Sequence, residues 1–178
     1  MKKAFFLDRD GVVVEQVHYL CDPEQTVLEK GVAQTISKMH ALGYLVVVVT
    51  NQSGVARGKF TMKEVEAVHQ KISELLAREG EKIDAFYICP HHPDFDGACD
   101  CRKPAPGLLL KAAKDLDIDI ASSIMVGDKL SDVRCGENAG CLHSLLISTG
   151  YGSGEREKPG AEKYPFINDL EEAVDKFI

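Results

Sequence analysis

Four polar motifs follow short apolar runs along the chain, and they contain most of its chemically reactive residue types. The motifs are Asp8-Arg9-Asp10-Gly11, Thr50-Asn51-Gln52-Ser53, Arg102-Lys103 and Gly127-Asp128-Lys129 with Asp132 beyond. Carboxylates on neighbouring strand ends repel one another unless a hard cation lies between them, and Mg²⁺ binds through one or two carboxylates, water and phosphate oxygens. The motifs therefore indicate metal-assisted phosphoryl transfer.

Each residue type has a defined use in that chemistry. Asp8 is suited to attack phosphorus and form an aspartyl-phosphate, and Asp10 could protonate the leaving oxygen and then deprotonate the hydrolytic water. Thr50 offers a hydroxyl and Lys103 a charge to the transferring oxygens, and Lys129 is a further cation for phosphate. Asp and Asn also favour turns after strands, which is enough to explain any one motif alone. Four motifs in order favour one common site.

A second set of metal-ligand residues lies between residues 89 and 101. Cys89-x-His91 and Cys99-x-Cys101 supply three thiols and an imidazole, a set suited to tetrahedral Zn²⁺. Four protein ligands close a zinc site, so a structural zinc is predicted. His92 could take the place of His91, and free thiols beside a surface histidine are the alternative to zinc. The isolated thiols are expected to be ordinary small hydrophobic side chains; they are Cys21, Cys135 and Cys141.

The elements that must position these motifs are short apolar runs alternating with helical periodicity. Strands are predicted over residues 4–7, 45–49, 85–89, 124–126 and 144–147, and helices over 32–42, 61–79, 108–116, 131–139 and 169–177. This alternation predicts right-handed βαβ units and an α/β fold, with a mainly parallel sheet flanked by helices. Ligands of such folds bind outside the carboxyl ends of the strands. The glycine-rich residues 150–154 are predicted to form a flexible loop.

Composition limits the classes of partner. The 178 residues carry 44% hydrophobic and 28% charged residues and a formal net charge of −7, which argues against nucleic acid or an anionic membrane as partner. The apolar run after Met1 is cut by Asp8, which argues against a secretory signal. We therefore expect a cytoplasmic monomer with one domain over residues 1–178, a zinc-binding loop at about 89–104, and a small phosphorylated molecule as its partner.

The motifs resemble a known superfamily. Asp8-x-Asp10-Gly11, Thr50, Lys103 and Gly127-Asp128-x3-Asp132 are similar to the four ordered motifs of the haloacid dehalogenase (HAD) superfamily of aspartate-nucleophile phosphatases. Stretches 6–11, 48–61, 89–93, 99–104 and 125–129 resemble its histidinol-phosphatase-type branch, and most closely the D-glycero-D-manno-heptose 1,7-bisphosphate 7-phosphatases. The resemblance covers essentially the whole chain and implies a Rossmann-like core without a large cap. The family usually has threonine where this chain has Val12.

The resemblance also implies roles for individual residues. It implies Mg²⁺ bound by Asp8, Asp128 and the backbone of Asp10, and zinc bound by Cys89, His91, Cys99 and Cys101. It implies substrate contacts from a turn after the first motif and from the other three motifs. These residues are Gln16, Val17, His18, Tyr19, Thr50, Asn51, Gln52, Ser53, Arg102, Lys103 and Lys129.

The expected activity is removal of the 7-phosphate of a heptose 1,7-bisphosphate, a phosphorylated sugar, through an aspartyl-phosphate intermediate. Arg102 would recognise the second phosphate, because a guanidinium matches phosphate oxygens. Histidinol phosphate is the alternative substrate on the same core. A zinc-stabilised binding module without catalytic activity is the alternative that is not an enzyme. Measuring phosphate release with and without EDTA distinguishes it from the two phosphatases.

Overall fold

A computed structural model describes residues 1–178. Six strands alternate with helices: β1 Lys3–Leu7, α1 Val32–Ala41, β2 Tyr44–Asn51, α2 Met62–Arg78, β3 Ala85–Cys89, α3 Pro93–Asp96, α4 Gly107–Leu116, β4 Ile124–Gly127, α5 Leu130–Ala139, β5 His143–Ile147, α6 Gly152–Glu155, β6 Phe166–Ile167 and α7 Leu170–Phe177. Short 3₁₀ turns lie at Pro23–Gln25 and Ile120–Ser122. None of the helices combines the length and the apolar character that crossing a membrane requires.

All six strands form one parallel sheet in the order β3-β2-β1-β4-β5-β6. The chain moves outward from β1 in one direction to β3 and then resumes on the other side of β1 at β4. Leu7 therefore pairs with Val48 of β2 and with Val126 of β4. Ligands of parallel sheets bind at such a reversal, so residues after β1 and β4 share one crevice. The predicted Rossmann-like fold is confirmed.

The two faces of the sheet are buried under different side chains, because successive residues of a strand point to opposite faces. In β2, Val46 and Val48 belong to one apolar cluster, whereas Val47 and Val49 belong to the other. All four valines are fully buried, and burial of each contributes about 1.5–3 kcal/mol. The prediction that this strand is covered on both faces is confirmed.

Several helix ends have the predicted chemistry. The hydroxyl of Thr61 accepts the backbone N–H of Glu64, and the Glu64 carboxylate accepts the backbone N–H of Thr61, which makes a reciprocal capping box at the start of α2. Gly140, in a left-handed conformation, ends α5. The fourth polar motif lies between the end of β4 at Gly127 and the first turn of α5, where the Asp132 carboxylate accepts the backbone N–H of Lys129.

The sequence patterns missed three short elements. β6 has two residues and α3 has four, which is too short for a strand or helix period to appear. The prediction of a loop over residues 150–154 is wrong in part, because Gly152–Glu155 form α6 and Gly152 is buried.

Candidate active site

The carboxyl ends of the strands border a cleft with two lobes that share Asp10, Asn51, Ser53 and Lys129. One lobe, here the Asp8 lobe, has a volume of about 290 Å³, and its other lining residues are Asp8, Arg102, Lys103, Ser131 and Asp132. The second, here the Tyr19 lobe, has a volume of about 150 Å³, and its other lining residues include Gln16, Val17, His18, Tyr19, Phe60 and Tyr151. The structure thus brings all four predicted motifs and the predicted turn 16–19 to one cleft.

Three carboxylates meet at the base of the Asp8 lobe. One oxygen from each of Asp8, Asp128 and Asp132 lies within 4.8 Å of the other two, and all three residues are buried. Oδ1 of Asp128 has no hydrogen-bond partner. Burial, followed by the charges of Asp8 and Asp132, raises the pKa of Asp128 to about 8. A buried, unpartnered carboxylate oxygen among like charges is a suitable ligand for a hard divalent cation.

Lys103 joins two of these carboxylates. Its Nζ lies 2.7 Å from Asp8 Oδ1, 2.8 Å from Asp132 Oδ1 and 2.8 Å from the carbonyl oxygen of Val49. An ammonium has three N–H donors, so each donor of Lys103 has one partner. Burial would lower the pKa of Lys103, but the charges of Asp132 and Asp8 outweigh it and raise the pKa. Lys103 therefore remains a cation beside Asp8.

The Asp10 carboxylate is held by two neighbours on the side of the Tyr19 lobe. Nε of Arg9 lies 3.1 Å from both oxygens of Asp10, and Arg9 Nη2 lies 3.0 Å from Oδ1. Gln52 Nε2 donates to Asp10 Oδ2 over 3.0 Å. Arg9 is completely buried, so this charged clamp is part of the protein interior. Donors on both oxygens fix the direction of the Asp10 carboxylate.

Residues of the motif after β2 have two functions: some hold neighbouring site residues in place, and some line the cleft. Asn51 Nδ2 donates to the Lys103 carbonyl, and Lys103 N–H donates to Asn51 Oδ1, both over 3.1 Å. This paired contact fixes the backbone of Lys103 to the end of β2. Thr50 is buried, and its Oγ1 accepts from Gln52 Nε2 over 2.8 Å, whereas Asn51 and Ser53 line both lobes.

Two glycines allow Asp128 to pack under the first motif. Gly11 and Gly150 have φ of +80° and +55°, a region that side chains other than glycine rarely adopt. A Cβ at Gly11 would lie 2.5 Å from Asp128 Oδ2, and one at Gly150 would lie 2.2 Å from the same atom. The backbone N–H of Tyr151 donates to Asp128 Oδ2 over 2.8 Å. These contacts occupy Oδ2 and leave Oδ1 as the available oxygen.

An aromatic wall lines the Tyr19 lobe. The rings of His18 and Tyr19 have centroids 4.3 Å apart, and Tyr19 meets the edge of Phe60 at 6.1 Å. Tyr19 has a φ of +54°, which is uncommon for a residue with a large side chain. A Cβ on Gly54 would lie 2.2 Å from the Phe60 ring. The glycine therefore makes room for Phe60 in this wall.

The predicted zinc ligands come together in part. Sγ of Cys89 lies 3.0 Å from Cys101 Sγ and 3.7 Å from Cys99 Sγ, and the Cys99–Cys101 distance is 3.5 Å. Tetrahedral zinc with Zn–S bonds of about 2.3 Å separates its sulfur ligands by about 3.8 Å. The two distances from Cys99 approach this value, whereas the Cys89–Cys101 distance is shorter. The fourth predicted ligand lies outside this cluster. Its Nδ1 lies 2.6 Å from Asp96 Oδ2, which raises the pKa of His91.

Three residues of the site had no predicted role. Asp132 was recognised as part of the fourth motif, but its position in the sequence does not show that it pairs with Lys103, as Asp8 does. Arg9, between two predicted catalytic residues, clamps the second of them. Tyr151 belongs to the segment predicted as a loop and lines the Tyr19 lobe. Such roles become visible only when the contacts between residues far apart in the sequence are known.

The chain is similar to known hydrolases across most of its length. The HAD-hydrolase-like family matches residues 100–173. The D-glycero-β-D-manno-heptose-1,7-bisphosphate 7-phosphatases of Pasteurella multocida and Vibrio cholerae are each 42% identical over 154 residues; the match covers 84% of this chain and 84% and 83% of theirs. A crystal structure of D,D-heptose 1,7-bisphosphate phosphatase from B. bronchiseptica with magnesium and phosphate has a TM-score of 0.89 and 36% identity, covering 98% of this chain and 97% of that one. With such identity over most of the chain and the same fold, the chain belongs to the HAD-like hydrolases, in the family that contains the heptose 1,7-bisphosphate 7-phosphatases.

Proposed function

We propose that this chain is a Mg²⁺-dependent phosphoric monoester hydrolase that removes the 7-phosphate of D-glycero-β-D-manno-heptose 1,7-bisphosphate. The observation that carries the proposal is the buried cluster of Asp8, Asp128 and Asp132 with Lys103 beside it. The similar enzymes from Pasteurella multocida and Vibrio cholerae carry that substrate in their names, which supports the choice of sugar and anomer.

Mg²⁺ would be held by Asp8, Asp128 and the backbone of Asp10. The unpartnered Oδ1 of Asp128 and the excess of negative charge around it support this assignment. A bound divalent cation supplies charge stabilisation that lets an anionic carboxylate approach an anionic phosphate. The magnesium and phosphate of the B. bronchiseptica enzyme support the same choice of cofactor.

Catalysis proceeds in two steps on the side chains of the first motif. Asp8 attacks phosphorus, so a carboxylate–phosphorus bond forms while the bond between phosphorus and the C7 oxygen breaks, and Asp10 gives its proton to that oxygen. In the second step water loses a proton to Asp10 and attacks the phosphorus of the aspartyl-phosphate. The bond to Asp8 breaks, phosphate is released, and both carboxyl groups return to their starting state.

Asp10 must turn to do this work. Its two oxygens accept hydrogen bonds from Arg9 and Gln52, which hold the carboxylate away from a leaving group in the Asp8 lobe. A general acid needs a proton and a path to the leaving oxygen. Asp10 lines both lobes, so rotation about its side-chain bonds carries the carboxyl from the Arg9 clamp towards the Asp8 lobe.

The remaining polar residues bind different parts of the substrate in the two lobes. Lys103 and the Thr50 hydroxyl stabilise the oxygens of the transferring phosphoryl group, whose charge is the main target of catalysis. Asn51 and Ser53, which line both lobes, bind it from the end of β2, and Gln52 contacts the substrate from the Tyr19 lobe. Residues 16–19, in the aromatic wall of the Tyr19 lobe, contact the sugar, and Lys129 lies at the border of the two lobes.

Arg102 binds the distal part of the substrate. It lines the Asp8 lobe, and its Nη1 donates to the carbonyl oxygen of His91 over 3.2 Å. That contact ties the guanidinium to the cysteine loop and leaves other N–H donors for a second phosphate, which a guanidinium can bind through two parallel hydrogen bonds. The Arg102 side chain would therefore prefer a bisphosphate over a small monophosphate.

A structural Zn²⁺ would be held by Cys89, His91, Cys99 and Cys101. The three sulfur atoms support this site by their spacing. His91 Nε2 would be its ligand nitrogen, because Nδ1 is paired with Asp96, and a carboxylate on the second nitrogen is the usual partner of a metal-bound histidine. A zinc ion bound there would organise residues 89–104 and would take no part in the reaction.

We place this activity in a single domain over residues 1–178, acting as a cytoplasmic monomer. All six cysteines are free thiols, which suits a reducing compartment. Sedimentation analysis that gives a mass of twice 19.5 kDa would contradict the monomer.

Phosphate release from a panel of substrates tests the proposed activity. The panel contains the α- and β-anomers of D-glycero-D-manno-heptose 1,7-bisphosphate, histidinol phosphate and p-nitrophenyl phosphate. We expect the β-bisphosphate to give the highest kcat/KM, activity to disappear with EDTA, and excess Mg²⁺ to restore it. Preference for histidinol phosphate would reassign the substrate, and absence of hydrolysis across the panel would contradict the enzyme.

A further inference from the structure

Tyr151 belongs to a tightly built segment that the proposed mechanism does not use. A Cβ on Gly152 would lie 1.5 Å from the carbonyl oxygen of Ile147, so this glycine packs directly against the end of β5. The N–H of Tyr151 is bound to Asp128. With the backbone fixed on both sides, the ring of Tyr151 has a defined position in the wall of the Tyr19 lobe.

The ring of Tyr151 lies against the side chain of Lys129. Nζ of Lys129 is 4.8 Å from the ring centroid, within the range of a cation–π contact. The ion pairs of the cleft are made by Lys103, with Asp8 and Asp132, and by Arg9 with Asp10. Lys129 makes none, although it is half-buried and lines both lobes. The aromatic ring contacts this ammonium directly, whereas the charges of Asp8, Asp128 and Asp132 attract it without forming an ion pair.

An aromatic partner suits a lysine that must bind an anion. A carboxylate partner would accept the N–H groups of the lysine and compete with phosphate for them. The face of a ring attracts the charge through its quadrupole but leaves the N–H donors free. It also restricts the flexible four-carbon side chain, so less conformational freedom is lost when phosphate binds.

We propose that Tyr151 is a positioning residue that holds the Lys129 ammonium at the border of the two lobes, ready to bind a phosphate oxygen of the substrate. This inference rests on the proposed function, since it deepens the role of the same cleft. It assigns the effect to the aromatic face and not to the hydroxyl or the backbone, because the N–H of Tyr151 binds Asp128 whatever the side chain is.

A double-mutant cycle tests the coupling. Tyr151→Leu, Tyr151→Phe, Lys129→Met and Tyr151→Leu/Lys129→Met are compared with the wild type in two assays: kcat and KM for the heptose bisphosphate, and the Kd of inorganic phosphate by calorimetry with Mg²⁺ present. We expect Tyr151→Leu to weaken phosphate binding and raise KM by about tenfold, and Tyr151→Phe to stay within about twofold of the wild type. In the Lys129→Met background, Tyr151→Leu should change either value by less than about twofold.

Equal losses from Tyr151→Leu in both backgrounds, or equal losses from the Leu and Phe variants, would overturn the inference. Tyr151 is 45% exposed, so thermal unfolding midpoints should agree among the four variants and the wild type. A decrease in midpoint that matches the loss of binding would mark a purely structural effect. Because phosphate affinity is measured independently of turnover, the role of Tyr151 and the proposed function can fail separately. A wild type that binds phosphate with the expected coupling but hydrolyses nothing contradicts the proposed function alone, and an active wild type without coupling contradicts the role of Tyr151 alone.

Discussion

Lys103 Nζ lies 2.7 Å from Oδ1 of Asp8, and both side chains are almost completely buried. The same ammonium lies 2.8 Å from Asp132, so one cation offsets two carboxylates. This arrangement gives Lys103 two effects. It holds Asp8 by one oxygen, so that Oδ2 lies outside the ion pair, and it makes a cluster of like charges tolerable inside the protein.

Removing this cation should destabilise the fold. Lys103→Met leaves two buried carboxylates without their partner, a change that costs about 3–5 kcal/mol of the free energy of unfolding. Urea titration of the metal-free protein measures it. Lys111→Met is the matched control, because Lys111 pairs with Asp115 on the surface, and loss of an exposed ion pair should have little effect on the free energy of unfolding. Similar small losses in both variants would contradict the structural part of the role of Lys103.

Asp8→Asn should abolish turnover and keep the fold. The amide preserves the volume of the side chain but is not a nucleophile, so activity should fall by at least about 10³-fold. Asp10→Asn should slow both the departure of the sugar oxygen and the hydrolysis of the intermediate. Asp175→Asn makes the same change at an exposed position of α7 and is the control, because it should leave activity unchanged. An Asp8→Asn variant with more than a few per cent of wild-type activity would contradict covalent catalysis.

His69 should make stability fall as the pH falls below about 6.5. Burial, and then the charge of Arg9, lowers the pKa of His69 to about 3, and its ring stacks on Phe86 at 4.3 Å. Between about pH 3 and 6.5 the unfolded chain binds a proton here that the folded chain does not, so the free energy of unfolding rises with pH.

The difference between wild type and His69→Leu isolates this group. The unfolding free energy of the wild type should lose up to about 1.4 kcal/mol more per pH unit than that of His69→Leu between pH 6 and pH 4.5. Chemical unfolding at several pH values measures both. Parallel curves would mean that His69 becomes protonated without opening its pocket.

The sequence was most informative where the physical signal is local. An uninterrupted run of valines predicts a strand covered on both faces, and Thr61 with Glu64 predicts a capping box; both are confirmed. Alternation of strands and helices also predicts that Asp8 and Asp128 lie at one edge of the sheet. Residue type and spacing are sufficient for such statements, because each depends on neighbours close in the chain or on the parallel geometry itself.

The missed features depend on contacts between distant segments. The clamp of Arg9 and Gln52 on Asp10 joins residues 42 positions apart, and Lys103 meets Asp8 across 95 positions. Residues 150–154 were misread because glycines favour loops in general, whereas here Gly150 and Gly152 are needed for close packing against Asp128 and β5. A pattern of glycines alone does not distinguish a mobile loop from a crowded one.

The cysteine cluster should bind one zinc ion per chain. Cys99→Ser and Cys101→Ser should each remove the zinc, lower the thermal unfolding midpoint and loosen residues 90–104, because the free energy of metal binding is part of the folding free energy of such a loop. Metal analysis of protein purified without chelators, with hydrogen exchange of the loop, checks this. Cys21→Ser is the control, since Cys21 lies outside the cluster. Protein without zinc would contradict the site.

Arg102 should discriminate a bisphosphate from a simple monophosphate. It shares the Asp8 lobe with Lys103, but Lys103 has all three donors engaged by Asp8, Asp132 and Val49. Arg102 makes one contact, to the carbonyl oxygen of His91, so most of its donors are available. A charge-assisted contact of this kind contributes about 1.5–3 kcal/mol.

Arg102→Ala should therefore lower kcat/KM for heptose 1,7-bisphosphate by about 10²-fold and change hydrolysis of p-nitrophenyl phosphate much less. Arg102→Lys keeps a charge but loses the two-pronged geometry, so it should recover only part of the loss. Because Arg102 follows the predicted zinc ligand Cys101, zinc content and thermal unfolding are measured on the same samples to separate loop damage from lost binding. Equal losses on the two substrates would mean that Arg102 binds the reacting phosphate, and recognition of the second phosphate would then have to come from the Tyr19 lobe, where Lys129 is the available cation.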